Sequence, residues 1–102
     1  NVVISYNAVI TGRNSLATGR GYTYTANFTD SSGAAVTLTP VWSFTMDTTD
    51  ATLISGITLS YPTANQCRVL IASNDDLVGY TITLKVTDSN NLCEATYNIV
   101  IE

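Results

Sequence analysis

The stretch Gly79-Tyr80-Thr81-Ile82-Thr83-Leu84-Lys85-Val86-Thr87-Asp88 alternates apolar and polar side chains without a break between a glycine and an aspartate. Successive strand side chains point to opposite faces, so Tyr80, Ile82, Leu84 and Val86 share one surface and Thr81, Thr83, Lys85 and Thr87 share the other. A strand of this kind buries one face and wets the other, and it carries no reactive chemistry. Its oily face needs a second layer to cover it.

Working outward, the same pattern recurs. Tyr22, Tyr24, Ala26 and Phe28 alternate with Thr23, Thr25, Asn27 and Thr29. Asp30-Ser31-Ser32-Gly33 follows as a turn in which Asp and Ser can bond their own backbone and Gly can take positive φ. Pro40 introduces Val41 to Thr45, with Trp42 and Phe44 on one face. Thr52 to Ile54 and Ile57 to Tyr61 read as weaker strands, ended by Pro62. Val2 to Tyr6, running on toward Ile10, reads as the first strand, and Thr11 to Gly21, with its glycines, as a loop. Cys67, Val69 and Ile71 form another inward set, Asn74-Asp75-Asp76 a loop, and Asp88-Ser89-Asn90-Asn91 a turn. Cys93, Ala95, Tyr97, Ile99 and Ile101 then alternate with Glu94, Thr96, Asn98 and Val100. About seven strands without helical periodicity predict an all-β sandwich of two antiparallel sheets.

The chain has 102 residues, 45% hydrophobic and 12% charged, with a net charge of -4. That profile fits one domain over residues 1–102 with one core. Thr, Ser, Asn and Tyr fill polar positions that charged residues usually hold, which suits an extracellular, cell-surface or virion setting. Arg13, Arg20, Arg68 and Lys85 are scattered, so the clustered positive footprint of a nucleic-acid binder is absent from the sequence. No apolar run approaches the roughly 20 residues of a membrane span, which argues against membrane insertion. The opening Asn1-Val2-Val3-Ile4, without an initiator Met, reads as a cut from a longer polypeptide whose neighbouring domains would be its partners.

Trp42 on the third strand, Tyr80 opening the sixth and the phrase Tyr-Thr-Ile-Thr-Leu-Lys-Val-Thr-Asp resemble bacterial and phage immunoglobulin-like domains, including the polycystic-kidney-disease-like type. The resemblance implies a Tyr80 hydroxyl bonded back to the backbone. Ile82 stands where an antibody-type domain has Cys, and Ala26 or Phe28 occupies the partner strand, so that bridge is missing. Trp42 is followed by Ser43-Phe44-Thr45-Met46 instead of the Asp-Phe-Gly-Asp-Gly of the polycystic-kidney-disease type. The implied role is a non-catalytic structural or adhesive module of a bacterial surface protein or of a phage tail or capsid. The alternative is a module that binds surface polysaccharide or a host receptor through its loops.

The chain has no His, which removes the usual general base and the commonest transition-metal ligand. Paired carboxylates are the remaining route to acid–base work, but the sequence sets none beside a pocket aromatic, so the chain reads as no enzyme and without a bound organic cofactor. Cys67 and Cys93 both fall in inward parity and admit two readings. A bridge between them would stabilise the fold by roughly 3 kcal/mol. Two buried thiols are the favoured reading, because in an immunoglobulin-like sandwich their strands lie in different sheets.

In the implied topology Asp47 and Asp50 share one end of the sandwich with Asp75, Asp76 and the final Glu102. Oxygens converging there suit Ca²⁺ between adjoining modules. Solvated loop charge offset by Arg13 and Arg20 is the plainer reading. At the opposite end Asp30, Asp88, Asn90 and Asn91 occupy loops that immunoglobulin-type binders use for contact, although turn chemistry also explains them. Parity turns most tyrosines inward and leaves Tyr6 and Tyr61 exposed. Asn27-Phe28-Thr29 matches a glycosylation acceptor placed in the middle of a strand.

Overall fold

A computed structural model describes residues 5–102. Strands β1 (Tyr6–Thr11), β3 (Gly21–Asp30), β6 (Gln66–Ile71) and β5 (Ile57–Ser60) form one sheet in the order β1-β3-β6-β5. Strands β2 (Ser15–Leu16), β8 (Glu94–Ile101), β7 (Thr81–Asp88) and β4 (Pro40–Met46) form the other in the order β2-β8-β7-β4. With β1, β3, β5 and β6 in one layer and β4, β7 and β8 in the other, the chain is an immunoglobulin-like sandwich. The part of the expected first strand at positions 2–4 lies outside the described residues.

Period-two burial builds the core. Ile82, Leu84 and Val86 of β7 are fully buried, as are Val69 and Ile71 of β6, and they meet Tyr24, Ala26, Phe28, Ile99 and Ile101 between the sheets. Trp42 is also enclosed, and its indole Nε1 is buried with no acceptor within the described structure. Both cysteines are free thiols, but only Cys67, on β6, is buried; Cys93, which precedes β8 in the other sheet, is half-buried, so the expectation of two buried thiols holds for one of them.

The structure corrects four readings. Ala51–Ile54 is one helical turn (α1) and not a strand: the Asp50 side chain accepts from Thr52 N at its start, and the Ser55 and Gly56 N–H groups close its end on the Ala51 and Leu53 carbonyls. The loop after β1 contains β2, whose Ser15 and Leu16 pair in parallel with Val100 and Ile101, so the second sheet is not purely antiparallel. Tyr22 has inward parity but is 37% exposed, because it sits at the end of β3 against a surface hollow. Tyr80 packs only partly buried against the core, and the tyrosine hydroxyls tied to backbone carbonyls are those of Tyr24 and Tyr97.

Those two bonds fix the place where the chain crosses between sheets. Tyr24 Oη donates to the Arg13 carbonyl at 2.6 Å and Tyr97 Oη to the Gly12 carbonyl at 2.7 Å. A Cβ at Gly12 would lie 2.3 Å from the Tyr24 ring, so only glycine lets the backbone pass this closely.

Candidate functional site

The loops gather at two poles. Tyr6 pairs with Asp30 where the described chain enters, whereas Glu102 N bonds to Leu16 O at the far end. The body between them measures 53 × 23 × 18 Å.

At the exit pole lie the β4–β5 and β6–β7 connections with Asp47, Asp50, Asp75 and Asp76. Each has local work or faces water. Asp47 Oδ1 accepts from Thr81 N at 2.9 Å, and Asp47 N donates to Thr81 O at 3.3 Å, which extends the β4–β7 ladder by one pair. Asp50 Oδ1 caps α1 by accepting from Thr52 N at 2.9 Å. Asp75 and Asp76 begin a single 3₁₀ turn, Asp75–Leu77, which Asn74 caps and which seats Leu77 in the core. Among the described residues no three acidic or thiol groups gather closely enough to hold a metal ion, so the four carboxylates are not assembled as a calcium set.

Arg13 and Arg20 share this pole but do not neutralise those acids. The ion pair formed among the described residues is Lys85–Glu94 at 3.1 Å, on the outer face of the second sheet. The two arginines instead line a hollow of about 340 Å³ with Tyr22, Leu16 and Glu102.

At the entry pole, Asp30 and Asp88 turn out to be structural. Asp30 Oδ1 accepts from Ser32 Oγ at 2.6 Å, Ser32 N at 2.9 Å and Ala34 N at 3.1 Å, with Gly33 at a φ of 86° completing the turn. The Ser32 hydroxyl, and then the Ala34 amide, hold the Asp30 carboxyl below the usual carboxylate range. Asp88 is only 2% exposed: Oδ1 accepts from Thr39 N at 3.2 Å and Oδ2 from Asn90 N at 3.0 Å, which fastens the β3–β4 loop to the β7–β8 hairpin. It is an internal staple and offers no contact surface. Asn90 and Asn91 face solvent, and Asn91 takes a φ of 58° to close the hairpin on the Asp88 carbonyl.

One feature escaped the sequence reading. Pro40, Val41 and Trp42 on β4 face Tyr61, Thr63 and Ala64 of the β5–β6 turn across an apolar hollow of about 330 Å³. Val41 and Tyr61 are 52% and 58% exposed beside it. Tyr61-Pro62 after a strand was the available signal, but only the sandwich places that turn next to β4. No helix among the described residues is long and apolar enough to cross a membrane. No family model, no curated protein and no solved structure matches the chain.

Proposed function

We propose that the domain is a non-catalytic structural or adhesive module of the immunoglobulin-like kind, serving in a bacterial surface protein or a phage tail or capsid component. The observation that carries this reading is the placement of chain entry and exit at opposite poles of a body 53 Å long. A module threaded in this way adds its full length to any polypeptide that contains it. The loop carboxylates support the same reading, because Asp30, Asp47, Asp50 and Asp88 are spent on turns, caps and staples.

The experiment is small-angle scattering on one, two and three copies fused head to tail. The expected result is a maximum dimension that grows by about one module length, 53 Å, per copy. Copies that fold back, so that three are little longer than one, would overturn the proposal.

A further inference from the structure

We infer that the free edge of β4 pairs with β4 of a second copy, joining two sandwiches through one continuous eight-stranded sheet. Among the described residues β4 is the outer strand of its sheet, at the opposite edge from β2. An edge strand presents unpaired N–H and C=O groups, which soluble proteins blunt with charge, internal proline, a bulge or brevity. β4 has seven residues, Pro40-Val41-Trp42-Ser43-Phe44-Thr45-Met46, unbroken in its ladder with β7, and its only proline is the first residue. The other edges are less available: β5 has four residues, β2 has two, and β1 turns at Gly12 into the opposite sheet.

The ladder also shows which groups are free. Asp47 N bonds to Thr81 O and Ser89 N to Thr39 O, so the odd-numbered residues of this segment form the hydrogen-bonded pairs with β7. Antiparallel pairing alternates, and therefore the N–H and C=O groups of Trp42, Phe44 and Met46 point to the open edge. A two-fold axis through Ser43 matches that parity: Trp42 pairs with Phe44 of the second copy, Phe44 with Trp42, and the two Ser43 residues face each other as a non-hydrogen-bonded pair. The contact closes on itself and needs no third molecule.

Charge decides for a second copy over a charged partner. The chain carries a net charge of -4, so copies repel unless they meet where neither bears charge. None of its charged residues lies in 40–46, and none lies in 57–66, the strand and turn flanking the same opening. Val41 and Tyr61, both more than half exposed, border that opening and would be covered together with the hollow beside Trp42.

Sedimentation and light scattering on the domain across a concentration series up to about 100 µM read the association directly. The expected result is a reversible monomer–dimer equilibrium that Ser43→Lys weakens by about two- to fivefold, because it sets two like charges face to face. Ser43 is exposed, and circular dichroism establishes that the variant keeps the fold. In a Cys93→Ser background, Ser43→Cys is expected to crosslink on mild oxidation, since a non-hydrogen-bonded pair brings Cα atoms to about 4.5 Å, within disulfide reach. A chain that stays monomeric throughout, a dimer that Ser43→Lys leaves unchanged or Ser43→Cys fails to crosslink, or open-ended fibres in place of a dimer would each overturn the inference.

Discussion

Tyr24 and Tyr97 rise from opposite sheets, with ring centroids 5.8 Å apart, and donate to the consecutive carbonyls of Arg13 and Gly12. The pair therefore holds the segment that leaves the first sheet at β1 and joins the second at β2. Tyr24 is fully buried, and burial, with the neighbouring phenols of Tyr97 and Tyr22, pushes its hydroxyl well above the ordinary tyrosine range. It stays a donor at any ordinary pH.

Tyr24→Phe and Tyr97→Phe are each expected to cost about 1 kcal/mol in urea titration, since each leaves one carbonyl without its donor. The double variant is expected to depart from additivity, because the rings touch and the two carbonyls belong to one crossing. Gly12→Ala should cost about 1 to 3 kcal/mol by forcing the Tyr24 ring aside.

Trp42→Ala should destabilise by roughly 3 to 5 kcal/mol through the cavity it opens. Trp42→Phe should cost less than half of that, because it keeps most of the ring and removes the buried N–H that has no acceptor. Chemical denaturation of both variants checks the ordering.

Asp88→Ala should cost about 2 to 4 kcal/mol, since it strips the acceptor from two backbone amides, Thr39 N and Asn90 N. Asp88→Asn keeps one acceptor oxygen and should lose about half as much. Faster amide exchange at Thr39 and Asn90 would locate the loss in the staple.

Burial pushes the Cys67 thiol up to about 11. The unfolded chain ionises this group near its ordinary value, so it releases its proton before the folded chain does. Stability is thus fully present below about pH 9 and falls as pH rises toward 11, by about 2 to 3 kcal/mol for a shift of this size. Burial of Tyr24 acts in the same direction above its ordinary value. Denaturation at pH 8, 9.5 and 10.5 checks the slope. A thiol reagent at pH 8 is expected to label Cys67 only as fast as the domain unfolds, and one that labels it fully in the native state would refute its burial.

Where the sequence read well, the signal was local. Ile82, Leu84 and Val86 are buried because parity alone assigns their face, and Asp30-Ser31-Ser32-Gly33 turns because its own side chain supplies the bonds. Thr52 to Ile54 reads as a strand because Thr52 and Ile54 are β-branched, but the Asp50 cap and the helix-favouring Ala51 and Leu53 outweigh that propensity. β2 was invisible: a two-residue strand is defined by its partners Val100 and Ile101, more than 80 positions away. Asp88 looked like any turn aspartate, and only the arrival of Thr39 from another loop encloses it.

Alternation of oily and polar side chains by itself determined that this polypeptide makes strands, and that the strands must close into two facing layers, since each strand carries its own buried side. The order of strands, the crossing beneath Tyr24 and Tyr97, the dispersal of Asp47, Asp50, Asp75 and Asp76, and the uncharged edge at β4 were decided only in the tertiary structure. Parity is a property of neighbours in the chain, whereas pairing, enclosure and convergence depend on which distant segments the core brings together.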